Sequence, residues 1–163
     1  MDDAIVLIRW LHVIGACVLI GTGAGIAFFM VMAHQTRQAT IVAHTARIVV
    51  IADTIFTATA VVAQPVTGIA LAWLLGWPLT EGWIVVSAAL YILIGAFWLP
   101  VVWIQLQLRD LAQAAAAAEQ ELPHRYDQLY RIWFFCGFPA FVSILLIVWL
   151  MLARPSIDLG LMT

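Results

Sequence analysis

Apolar residues dominate this chain in four long stretches, each interrupted at only a few positions. The first runs over about residues 4–33 and is broken by Arg9 and His12; the second, about 48–75, holds Asp53, several threonines and the pair Gln64-Pro65. The third covers about residues 83–105 and the fourth about 132–153. A helix needs about 20 apolar residues to cross a bilayer, so each stretch predicts one spanning helix. His34 to Arg47 make a polar first connection, and Gly76 to Trp83 (GWPLTEGW) a tight second one. Residues 107–121 (QLRDLAQAAAAAEQE) lack a spanning core but are rich in strong helix formers. They predict a cytoplasmic helical extension of the third span, ended by Pro123. The fold class expected is all-α: a single polytopic domain over residues 1–163, built as a four-transmembrane-helix bundle.

Composition narrows the class of protein. Hydrophobic residues make up 65% of the chain and charged residues 10%, against about 45–50% and about 25% in soluble domains; a soluble globular protein is excluded. The cationic residues are all arginine, the net charge is -2, and no basic run exists, which excludes a nucleic-acid partner. The lipid bilayer is the partner this composition demands. Arginines beside spanning helices favour the cytoplasmic side. Arg37 and Arg47 lie in the first connection and Arg109, Arg125 and Arg131 around the third, whereas only Arg9 and Arg154 lie at the other face. That asymmetry predicts an N-out/C-out topology. The acidic start, Asp2-Asp3, and the lack of a clear cleavage site read the first stretch as a retained helix instead of a signal peptide.

Two intramembrane residues are candidates for chemistry. His12 lies in LHVIGACVLIGTGAG, where helical projection puts Gly15 and Gly23 on or beside its face, and Tyr91 of the third span falls at about the same depth. A flat cofactor held by an axial histidine needs a neutral imidazole and a helix surface without bulk, so His12 is a candidate ligand for the iron of haem b. The alternative is a histidine satisfied by a neighbouring helix, with Gly21-x-x-x-Gly25 serving close packing. Asp53 is the second candidate, since an ionisable residue within a span is a functional hypothesis by default. Asp53, Thr57, Ala60, Gln64 and Thr67 recur every three or four positions and form one polar stripe that must face protein. The stripe either lines a proton or solute path or acts as structural glue, with Asp53 paired to Arg47, Arg109 or Arg131. His34, His44 and His124 read as solvated residues, and Cys17 and Cys136 as buried, unpaired thiols. No familiar catalytic motif and no zinc spacing is present.

The runs LHVIGACVLIGTGAGIAFFM, RIVVIADTIFTATAVVAQPVTGIALA, ALYILIGAFWLPVVWIQLQLRDLA and FPAFVSILLIVWLMLARP resemble the bacterial predicted integral membrane proteins grouped as domain of unknown function 2269. The resemblance covers nearly the whole chain; it implies the same four spans, a multi-pass place in the bacterial inner membrane, and a family without an established activity. The first helix is similar, more distantly, to those of copper-resistance D proteins and membrane-bound, haem-associated protoporphyrinogen oxidases, which carry a Leu-His followed by a glycine pair. The counterparts here are Leu11-His12 with Gly21 and Gly23. The chain has no lysine, so a lysine ligand or proton donor of the oxidases has no equivalent. The leading expectation is a membrane protein that binds haem b, or a similar small cofactor, in a redox or accessory role. Two other readings stay open: a non-enzymatic subunit or assembly partner of a larger membrane complex or homo-oligomer, and a small transporter or proton-pathway protein using the Asp53 stripe.

Overall fold

A computed structural model describes residues 2–160, which form four long helices and, among the described residues, no strand. They are α1 (Asp2–Thr36), α2 (Ala39–Leu74), α3 (Gly82–Ala117) and α4 (His124–Ala153). Each is long and apolar enough to cross a membrane. The 36 residues of α2 and of α3 reach about 54 Å, well beyond a hydrocarbon core of about 30 Å. The excess length lies at the end that carries Arg37, Arg47 and Arg109.

That arginine-rich end holds the tightest packing, and the packing resets two helix boundaries. The long polar connection expected from His34 to Arg47 shrinks to Arg37-Gln38. Val42, Ala43, Ala46 and Val49 fall at helical spacing and are all buried, in one cluster with Leu108, Ala112 and Ala115 of α3 and Tyr126 of α4. Burying that stripe favours helix over a loop despite the polar residues between. The same contacts start α4 at His124 instead of about residue 132, with Pro123 as its N-cap, because Tyr126 and Tyr130 belong to the core. The extension of α3 does form, as far as Ala117. Arg37 makes the reversal between α1 and α2 at φ 56°, and its guanidinium donates to both Asp127 oxygens, at 2.5 and 3.0 Å. The Asp127 hydrogen bonds hold Arg37 above its ordinary pKa. They tie the first turn to the start of α4.

At the opposite end Gly76 reverses the chain at φ 71°, and Trp77 N–H closes the α2 terminus on the Ala72 carbonyl at 2.8 Å. Gly82 lies so close to Ile157 that a side chain there would collide with its backbone, and Arg154 sits 5.5 Å from the Trp77 ring. The segment after α4 thus packs beside the α2–α3 turn, which makes the bundle up-and-down. Between the two ends, Val62, Val66, Ile69, Ile92 and Leu152 point outward, as a lipid-facing surface requires. Cys17 and Cys136 are both free, and Cys17 is exposed on α1 instead of buried.

Candidate functional site

The polar stripe of α2 does face protein: Asp53, Thr57 and Ala60 are buried, and Gln64 and Thr67 are half-buried. Its two ends build two separate clusters.

The first joins α1 to the later half of α2. His12 Nδ1 lies 2.8 Å from Thr67 Oγ1. The Thr67 oxygen is also 2.7 Å from the Ala63 carbonyl and 3.2 Å from that of Gln64. Two oxygens 2.7 Å apart need a hydrogen between them, and the hydroxyl has only one. It goes to Ala63, so His12 Nδ1 must supply its own proton. The hydrogen-bond network therefore fixes the neutral ring as the Nδ1–H tautomer. Nε2 keeps its lone pair, makes no hydrogen bond among the described residues and is not enclosed.

Gln64 completes this cluster, donating from Nε2 to the His12 carbonyl at 2.7 Å. A Cβ on Gly15 would overlap that amide, and one on Gly68 would meet His12 Cε1 at 3.2 Å. The groove expected beneath His12 is thus partly filled: Gln64 occupies the Gly15 face. A Cβ on Gly23 would meet nothing within 4 Å. Tyr91 reaches α2 instead of the imidazole, donating to the Val61 carbonyl. Pro65 explains that contact, since it removes the N–H that would have bonded Val61 four residues earlier.

The second cluster surrounds Asp53, which is 6% exposed. Residues Asp53–Thr57 form a π-helical turn in which the Ala58 N–H bonds the Asp53 carbonyl. Thr54 and Thr59 hydroxyls bond back to the Val50 and Ile55 carbonyls at 2.8 and 2.6 Å, a competition that accompanies distorted helices. Widened turns of this kind concentrate at functional sites. Trp98 Nε1 donates to Asp53 Oδ1 at 3.4 Å. Gln105, with its amide oriented as its neighbours require, donates to Asp53 Oδ2 at 3.3 Å and accepts from Trp133 Nε1 at 3.2 Å. The buried Thr57 hydroxyl, one turn on, faces the Asp53 carboxyl without a well-formed hydrogen bond.

The arginine partner expected for Asp53 is not found. Among the described residues the ion pairs are Arg37–Asp127 and Arg109–Asp110, and Arg47 and Arg131 are exposed. Two neutral N–H donors of α3 stand in the arginine's place, because Trp98 and Gln105, seven residues apart, share the α3 face turned to Asp53. Sequence reasoning missed Trp98, Gln105 and Trp133; the two-turn spacing of the first two was the available signal. His34 is likewise half-buried, not solvated: its ring stacks on Tyr130 with centroids 3.7 Å apart.

Residues 6–155 match the family model described as predicted integral membrane protein, domain of unknown function 2269. The chain belongs to this family. No curated protein and no solved structure matches it. Membership agrees with the four spanning helices and leaves the family's chemistry to be read from the two clusters. Among the described residues, no three His, Cys, Asp or Glu side chains converge as a metal site, so any metal-bearing group would rest on fewer protein ligands.

Proposed function

We propose that this protein holds a small cofactor in the bacterial inner membrane through Nε2 of His12, with haem b as the group that a single neutral imidazole suits. The observation that carries the reading is the hydrogen count at Thr67, which leaves Nε2 as an unpartnered lone pair on a ring held from its other nitrogen. Ligand histidines are commonly held in this way, and the second bond fixes both tautomer and ring direction. Haem would supply one-electron chemistry at its iron. The chain's own residues do the positioning: Thr67 orients the imidazole, Gln64 clamps the His12 carbonyl, and Gly68 admits the ring edge. With both termini outside, His12 sits toward the outer leaflet.

The test is the absorption spectrum of protein purified in mild detergent from haem-replete cells. A Soret band should be present, lost in His12→Ala, and shifted in Thr67→Val at comparable yield. A colourless preparation removes the cofactor reading and leaves His12 as a helix contact.

A second reading, self-association into a larger assembly, is supported by a groove of about 620 Å³ between α1 and α2, lined by Gly21, Gly25, Ile26, Phe29, Ile48 and Phe56. Its glycine face suits the α1 helix of a second copy, which small residues let approach closely. Crosslinking in native membranes should then give a dimer that Gly25→Leu abolishes; only monomer would refute it.

A further inference from the structure

The Asp53 cluster has no part in the His12 reading and stands independently of it. An acidic side chain buried inside a membrane bundle ordinarily finds a cation or loses its charge. Among the described residues no cation pairs with Asp53, and its neighbours are N–H donors and one hydroxyl. Trp98 Nε1 and the Gln105 amide present N–H groups to the carboxyl oxygens, which suits an ionised carboxylate and repels a metal cation. The Thr57 hydroxyl is 8% exposed, lies one turn along the same face, makes no well-formed hydrogen bond elsewhere and faces the Asp53 carboxyl itself. A hydroxyl can accept as well as donate, so it offers a seat for the O–H of a neutral carboxylic acid.

We propose that Asp53 is a proton-binding site within the membrane, its ionised form accepting from Trp98, Gln105 and the Thr57 hydroxyl, and its neutral form donating to that same hydroxyl once it has turned. The step is a single proton exchange with water: one O–H bond forms or breaks on the carboxyl, and nothing is oxidised or reduced. The fold also links that proton to three helices. Trp133 of α4 donates to Gln105 of α3, and Gln105 to Asp53 of α2. A carboxylic acid donating to Gln105 would turn the amide over and strand the Trp133 N–H, so the Thr57 seat is the one that preserves the chain.

No other titratable group competes for the assignment. Along α1 none lies between Cys17 and His34, and along α3 none between Tyr91 and Arg109, whose partner is Asp110. Along α2 the nearest is the exposed Arg47, and along α4 the section facing Gln105 is bounded by Tyr130, the exposed Arg131 and Cys136.

The experiment is pH-difference infrared spectroscopy on the full chain in lipid, scanned across about pH 4 to 9, the range that brackets free and strongly shifted carboxyls. In the difference between wild type and Asp53→Asn, which cancels the other eight acidic side chains, one carboxylic-acid C=O band should appear as the pH falls, and Thr57→Val should move it to higher frequency as its hydrogen bond is lost. No titrating carboxyl band in the difference between wild type and Asp53→Asn overturns the proposal. Should Asp53→Asn fail to fold, Thr57→Val decides: an unshifted band refutes the Thr57 seat and with it the site.

Discussion

Replacing Tyr91 by Phe tests the account of how α3 is fastened to α2. Pro65 leaves the Val61 carbonyl without its helical donor, and the Tyr91 hydroxyl is the group that fills the gap. An unpaired buried carbonyl costs about 1–3 kcal/mol, while interhelical hydrogen bonds measured in a membrane bundle average about 0.6 and reach about 1.7 kcal/mol. Tyr91 is only half-buried, but Pro65 takes away the carbonyl's regular helical donor, which places the expected loss near the top of the membrane range, about 1.5 kcal/mol. Pro65→Ala restores the N–H at position 65. In that background Tyr91→Phe should cost about 0.5 kcal/mol or less, a coupling of about 1 kcal/mol in a double-mutant cycle. Reversible unfolding in mixed micelles, with all four proteins, supplies the cycle. Equal Tyr91→Phe costs with and without Pro65 would refute the reasoning, because the hydroxyl would then not be compensating for the missing donor.

Gly15→Ala should cost about 1–3 kcal/mol, since the added methyl meets the Gln64 amide; Gln64→Ala in the same chain should recover part of the loss when melting is followed in detergent. Leu108→Ala, at a position with no exposure, should cost about 2–5 kcal/mol. Asp127→Asn breaks a pair whose side chains are 51% and 29% exposed and should cost under about 1 kcal/mol; a larger loss from Asp127→Asn than from Leu108→Ala would reverse the view that packing dominates the arginine-rich end. The N-out/C-out topology predicts cytoplasmic readings from reporter fusions after Gln38 and Gln120 and a periplasmic one after Thr163, a position outside the described residues. A cytoplasmic reading after Thr163 with four intact spans would overturn it.

The number of helices and the inward face of the α2 stripe were legible in the sequence, and for one reason. In a bilayer each segment must satisfy its own backbone and match its surface to lipid, so hydropathy and a period near 3.6 residues act locally and leave their mark locally. His12, Asp53, Gln64 and Thr67 could be picked out on the same ground, as polar groups in places where polar groups are costly. Their partners could not. Thr67 lies 55 residues from His12, and Trp98 lies 45 from Asp53, and no local pattern states which helix faces will meet. An arginine looked the natural partner for Asp53 because charge pairing is the commonest solution; the fold instead brought one indole and one amide, both from the α3 face that packs on α2. The start of α2 at Ala39 has the same origin, since the polar residues from His34 to Arg47 read as a loop until Val42, Ala46 and Val49 are buried against α3 and α4. The free Nε2 of His12 follows from a hydrogen count on a threonine that only tertiary packing sets beside it.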